Sequence, residues 1–226
     1  MIPATEFLEW LRTRRSTRAF APSPVERAVL ERLIEAAITA PSATNRQPWR
    51  FAVVTAPEVR DQLVAAVRRR SDEMKAIIAR GHHGAEFASY GDFFWEPLAA
   101  ASAIIIPQVR EFPDQIAHLI ESGGGDASGF DTARSMRAEL CSTSGAVMAI
   151  LLQAHAEGLG ACWMAGPMVA RREVEALLDI REPWQMLGAV AVGWPAASAP
   201  RAPGRKPADR VAFWFETGKQ HEETTT

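Results

Sequence analysis

Apolar residues recur at three- and four-residue intervals along several stretches of the chain, and in shorter stretches they run unbroken. Phe7, Leu8 and Leu11 share one face over 6–13, which predicts a short helix. A second helix is expected from 23, with Ser23 as N-cap, Pro24 at the first helical position and Glu26 where a capping box places an acid. Val29, Leu30, Leu33, Ile34, Ala37 and Ile38 keep its spacing until Pro41 stops it. Residues 49–55 are aromatic and β-branched and read as a strand, and 59–80 reads as a helix with an outer charged face. The unbroken apolar run 99–106 is expected to be a buried central strand. The longest helical pattern, 134–157, is almost wholly apolar from 146 to 152, so it should be buried in a core or a subunit interface. Short strands are expected at 161–164 and 185–192, with a helix over 169–178 between them.

Glycine and proline punctuate these elements. Four glycines within 122–129 predict a mobile loop. Prolines 195, 200, 203 and 207 predict an extended arm over the surface, with 211–215 closing it as an added strand. No internal repeat and no linker divides the chain, so 1–226 reads as one domain, and the mixed order of helices and strands makes it α+β.

Lys plus Arg total 25 and Asp plus Glu total 27, a net charge of −2, which offers no general attraction to nucleic acid or anionic lipid. Cys141 and Cys162 are too few for a disulfide framework or a four-ligand zinc site. The first nine residues carry acids and lack a signal-peptide core, and the apolar stretch 97–109 is interrupted and too short to span a bilayer. A soluble cytoplasmic protein is expected. The chain has no G-x-G-x-x-G, no G-x-x-x-x-G-K-[ST], no G-x-S-x-G and no H-E-x-x-H.

Against this near-neutral background, two short cationic clusters stand at opposite ends. Arg14, Arg15 and Arg18, with Ser16 among them, lie near the N-terminus, and Arg205 and Lys206 lie near the C-terminus. They suit a phosphate held from both sides, because a guanidinium fork matches phosphate oxygens. Taken alone, the first cluster could equally be a solvated patch. Pro41, Ser42, Ala43, Asn45 and Gln47 form a polar segment that could hydrogen-bond a heterocycle or satisfy itself locally. The small residues of 158–167 either cap a helix or let a flat ring press on backbone around Trp163, Met164, Ala165 and Gly166. Cys162 reads as core filler and His82-His83 as an exposed loop. Tyr90, Phe93, Phe94 and Trp95 line a pocket or pack as core, and the glycines at 81, 84 and 91 favour a pocket with a lid.

Taken in order, Arg-Arg-Ser-Thr-Arg at 14–18, Pro-Ser-Ala-Thr-Asn-Arg-Gln-Pro-Trp at 41–49, Gly-Leu-Gly-Ala-Cys-Trp at 158–163 and the stretch from Gly-Trp-Pro at 193 to Pro-Gly-Arg-Lys-Pro at 207 resemble the FMN-dependent nitroreductase family. The resemblance runs over nearly the whole chain. It implies a mostly antiparallel sheet flanked by helices, in an intertwined homodimer whose C-terminal arms, about 195–226, are exchanged. It implies two FMN sites at the subunit interface. Arg14, Arg15, Ser16, Arg18, Trp163, Met164, Ala165, Gly166, Arg205 and Lys206 would come from one chain, and Pro41, Ser42, Ala43, Asn45 and Gln47 from its partner. It implies ping-pong reduction of nitroaromatics, quinones or similar acceptors by NADH or NADPH, with a substrate segment at about 70–97 and no dedicated catalytic side chain. Specialised flavin enzymes of the same fold, or a flavin-binding redox sensor without turnover, are the alternatives. The chain departs from many relatives at Met148-Ala149, where they carry Gln-Asn, and from some at Ala165, where they carry glutamate.

Overall fold

Ile104, Ile105 and Ile106 have no solvent exposure, and the sheet is built outward from them. A computed structural model describes residues 2–82, 84–132, 134–197 and 204–215. Among these, five strands form one sheet: β1 (Trp49–Val54), β2 (Ala103–Arg110), β3 (Gly160–Met164), β4 (Trp184–Met186) and β5 (Ala189–Gly193). The order is β1-β2-β5-β3, with β4 also paired to β2, and every pairing among these strands is antiparallel. Seven α-helices accompany it: α1 (Ala4–Thr13), α2 (Arg27–Ala37), α3 (Pro57–Ile78), α4 (Asp92–Ala100), α5 (Gln115–Ser122), α6 (Ala138–Ala156) and α7 (Arg171–Leu177). The α+β class expected from the sequence is the observed one.

Two cores lie on opposite faces of the sheet, because successive strand side chains point to opposite sides. Ile104, Ile106, Ala189 and Ala191 meet Leu63 and Val67 of α3, Leu98 of α4 and Val174 of α7. Ile105, Val190 and Val192 meet Leu30 and Leu33 of α2 and Val147, Ile150 and Leu151 of α6.

Four element boundaries differ from the sequence expectation, each for a local reason. The apolar run at 99–106 is shared: its start ends α4, and the strand begins at Ala103 and continues to Arg110. Pro107 does not break this strand. Its carbonyl accepts from the Leu187 N–H at 2.8 Å, so its missing donor faces the gap between β4 and β5. The stretch expected as one strand over 185–192 is split there by Gly188, at φ +74°, where a Cβ would lie 2.5 Å from the Met164 carbonyl oxygen. Helix α2 starts at Arg27 after a Glu26 N-cap, not at Ser23 and Pro24. The preceding segment is held extended instead: Ala21 donates to the Trp194 carbonyl at 2.8 Å, and Trp194 Nε1 donates to the Pro24 carbonyl at 3.2 Å. Residues 211–215 form no strand; they follow a 3-10 turn, Ala208–Arg210, and pair with no strand of the sheet.

The expected glycine loop shrinks to a short connection between α5 and a 3-10 turn, Ala127–Gly129. His82 lies exposed in a turn, and His83 falls outside the described residues, as do 198–203 and 216–226 of the arm.

Candidate functional site

Strand β3 is an edge of the sheet, and the Arg-rich segment near the N-terminus is strapped along it. Ser16 pairs with Ala161 in parallel, and the Thr17 N–H donates to the Ala161 carbonyl at 3.0 Å. The approach needs Gly160, because a Cβ there would sit 2.5 Å from Thr17 Cγ2. A second bridge, Phe20 to Pro195, and a bond from the Ala196 N–H to the Ala19 carbonyl at 3.0 Å tie the same segment to the start of the C-terminal arm.

This strapping brings the two cationic ends together. The Arg14 guanidinium is held below its usual pKa, first by burial, then by the field of Arg205 and then by that of Arg15. Among the described residues no carboxylate pairs with Arg14, Arg15, Arg18, Arg205 or Lys206. Arg15 donates to the carbonyls of Arg12 and Arg14, and Arg18 reaches the Ser16 carbonyl at 3.5 Å. Elsewhere the chain pairs its arginines readily, as Arg32 with Glu157 at 2.7 Å. Converging cations without a counter-charge disfavour their own ionised state, and a bound anion would relieve them. Cys162 lies buried beneath the cluster. Burial pushes its thiol up, while Arg18, Arg14 and a hydrogen bond from Ser16 pull the other way. It is a packing residue with no histidine partner among the described contacts.

Beyond β3 the chain presents a backbone-rich surface. The Trp163 ring is partly exposed, and its Nε1 donates to the Leu187 carbonyl at 3.0 Å. Met164 is buried, Ala165 precedes the 3-10 turn Gly166–Ala170, and a Cβ at Gly166 would fall 2.2 Å from the Phe94 ring. Small residues at 165 and 166 therefore serve close packing below and leave flat backbone above.

The segment 41–47 leads into β1, at the opposite end of the strand order from β3. Thr44, Asn45 and Gln47 all have positive φ, at 50°, 54° and 48°. Three such residues close together mark backbone held by its surroundings. Ser42 Oγ accepts from the Gln47 N–H at 3.0 Å, Gln47 Nε2 donates to Asn45 Oδ1 at 3.3 Å, and the Ala43 N–H reaches Ser142 Oγ at 3.4 Å. Pro41, Ala43, Asn45 and Gln47 are exposed. No hydrogen bond or ion pair among the described residues joins 41–47 to 14–18. The structure thus brings Arg14 and Arg205 together in one chain but does not bring the 41–47 segment to them.

Next to Ala43 and Thr44 opens a cavity of about 720 Å³, walled also by Phe112, Arg137, Leu140 and Met168. The expected substrate segment, 70–97, does not line it. Tyr90, Phe93 and Phe94 instead pack edge to face, with Phe93 and Phe94 centroids 4.7 Å apart, and Phe94 is buried against Gly166. Trp95 carries the Arg68 guanidinium 4.6 Å above its ring. Within this cluster Phe94 is buried while Tyr90 and Phe93 are exposed, and the cavity is lined mainly by residues of 43–46, 109–116, 134–140 and 185–187.

Apolar surface is left uncovered around both parts. Helix α1 buries no residue, and Phe7 and Leu8 on it are exposed. Met148 is exposed on α6, and Phe213, Trp214 and Phe215 are exposed at the end of the described arm. No helix among the described residues is long and apolar enough to cross a membrane.

An antiparallel sheet with helices on both faces, an arginine-rich segment strapped along one edge strand and small residues after that strand make up an α+β fold. The Nitroreductase family profile matches residues 11–194, and the chain belongs to that family. The chain is 26% identical over 187 residues to a 5,6-dimethylbenzimidazole synthase of Rhodospirillum rubrum, covering 83% of this chain and 81% of that protein. Its fold is similar to a BluB-like flavoprotein from Clostridium difficile, with TM-score 0.81, 19% identity and coverage of 93% and 99% of the two chains. It is also similar to a protein from Desulfovibrio desulfuricans solved in complex with FMN, with TM-score 0.63, 23% identity and coverage of 94% and 96%.

Proposed function

We propose that two copies of this chain bind FMN between them and catalyse two-electron reduction of a small oxidised acceptor. The net reaction is NAD(P)H plus acceptor plus a proton, giving NAD(P)⁺ and the reduced acceptor. The observation that carries the reading is the meeting of Arg14 and Arg205, with Arg15 and Arg18, beside β3 and without a carboxylate. These residues fit a phosphate, and Lys206 adds charge at the same end. Trp163, Met164, Ala165 and Gly166 offer an apolar, backbone-rich platform for a flat ring. The partner would supply Pro41, Ser42, Ala43, Asn45 and Gln47, whose exposed polar groups lack a ligand-sized partner in their own chain. The uncovered faces of α1 and α6 and the exposed aromatic residues of the arm are the surfaces that such a pairing would bury.

The flavin, when bound, supplies reversible redox chemistry; the protein supplies binding, orientation and field. The Gly166 N–H opens a 3-10 turn and so has no acceptor within it, which would leave it free to donate to negative charge on a ring bound beside Ala165. No side chain here needs to act as acid or base. The cavity beside Ala43 and Thr44 leaves room for an exchangeable substrate, which suits a reductase acting on more than one acceptor. Purified protein should be yellow, and anaerobic NADH or NADPH should bleach it. A colourless protein that gains no flavin spectrum with added FMN contradicts the reading.

A specialised synthase of the same family is a second reading, favoured by the 5,6-dimethylbenzimidazole synthase relative and the 0.81 match to a BluB-like flavoprotein. Steady turnover of a quinone or nitroaromatic with a persistent flavin spectrum supports the reductase. Appearance of 5,6-dimethylbenzimidazole at the expense of that spectrum supports the synthase. A bound flavin that neither nicotinamide reduces would leave a redox-sensing module.

A further inference from the structure

The cavity beside Ala43 and Thr44 is lined by four arginines, and their pairing is uneven. Arg46 is matched by Glu139 at 3.1 Å, and Arg171 by Glu175 at 2.9 Å. Asp114 is also occupied, capping α5 through the Ile116 and Ala117 N–H groups at 3.1 Å and accepting from Thr132. Arg134 and Arg137 remain. Both line the cavity, and neither side chain makes a hydrogen bond or ion pair with any described residue. Glu111 is the one lining carboxylate without a partner among the described residues, so two unmatched cations face one unmatched acid.

The helix next to them adds to the positive field. Arg137 immediately precedes α6, at φ 52° and ψ 55°, and no side chain caps that N-terminus. The first N–H groups of a 19-residue helix therefore lie beside Arg137, with Glu139, already matched by Arg46, in the same turn. The rest of the lining includes an apolar surface from Phe112, Leu140, Met168 and Leu187. Unmatched guanidinia together with apolar lining, within about 720 Å³, match a small aromatic carrying an acid group.

We propose that this cavity selects an anionic aromatic acceptor, its acid group held by Arg134 and Arg137 and its ring lying against the apolar wall toward Ala43. The proposal rests on the reductase reading above and names the substrate class for it. An acid group meeting two guanidinia should prefer this cavity to a neutral analogue of the same shape, because each charge-assisted bond is stronger than a neutral one.

The test is calorimetric binding of para-nitrobenzoate and para-nitrobenzyl alcohol to the FMN-loaded protein, followed by kcat/KM for both. Nitrobenzoate should bind the wild type more tightly. Arg134→Gln and Arg137→Gln should each weaken nitrobenzoate binding and raise its KM about tenfold, leaving the alcohol and the flavin spectrum unchanged. Equal effects on both compounds, no effect, or no binding of nitrobenzoate to the wild type overturns the proposal. So does a loss confined to NADPH relative to NADH, which would assign the arginines to the nicotinamide's phosphate. Nitrobenzoate that binds as expected but is not reduced retains the subsite and removes the reductase reading, so the two failures are separable.

Discussion

The β3 edge and the 41–47 segment are both polar and both carry motif residues, yet one chain completes only the first. At the edge, Gly160 lets 14–18 lie against β3, and Arg14 comes within the field of Arg205, though the two are far apart in sequence. At 41–47 the backbone is just as constrained, with three positive φ values, but the exposed side chains of Asn45 and Gln47 find little beyond each other. On the proposed reading, that constrained segment is held ready for a contact outside its own chain. Under the proposed function the comparison means that the site would be split: a phosphate clamp made within one chain, and a ring contact made toward another.

The largest effect should come from the clamp. Arg14→Ala and Arg205→Ala should each weaken FMN binding about tenfold, and together about a hundredfold if the two losses add. Fluorescence titration of the apoprotein measures this, and unchanged affinity in the double variant would remove the clamp. Next comes its scaffold. Gly160→Ala places a Cβ 2.5 Å from Thr17 Cγ2, so it should lower stability by about 1–3 kcal/mol and weaken FMN binding together. A lowered melting temperature with unchanged FMN affinity would separate scaffold from site.

A smaller effect probes the uncovered face of α6. A Cβ at Gly145 meets nothing within 4 Å in the single chain. There Gly145→Ala would be expected to add about 0.5–1 kcal/mol of helix stability. If that face is a chain-to-chain contact, the methyl instead weakens association, read as a shift toward monomer by ultracentrifugation. The smallest effect lies away from both regions. Hydrogen bonds from Arg32 and then Gln153 pull the Glu157 carboxyl from 4.5 down to about 2. A carboxylate depressed on folding contributes stability that is present above its unfolded pKa and lost as pH falls through its folded one. Melting curves should therefore show this contribution fading between pH 4.5 and about 2, and Arg32→Gln should remove that part of the slope without changing FMN affinity.

Much of this was legible in the sequence. The apolar stripe from Leu30 to Ala37 and the all-round apolar α6 mark buried elements because core contacts repeat with the helix period. The cationic clusters could be paired in thought because they sit in the order and spacing of the family's motifs. What was not legible depended on tertiary neighbours. Ser23 and Pro24 look like a helix start, but Trp194 takes the Pro24 carbonyl. The run at 99–106 hides a helix end, because apolar residues fit both elements equally. Phe94 is buried and packs against Gly166 while Phe93 stays exposed, a division the sequence could not give because aromatic residues serve both roles. Arg134 and Arg137 could not be singled out, because a surface arginine becomes informative only when its lack of a partner is seen.

The central claim is a site shared between chains, and mixed dimers test it most directly. One chain carries Arg14→Ala with Arg205→Ala; the other carries Ser42→Ala with Asn45→Ala. FMN titration of the purified mixed dimer should recover one tight site, formed by the intact clamp of one chain and the intact 41–47 segment of the other. Two weakened sites and no tight one would mean that each chain builds its site alone, contrary to this account.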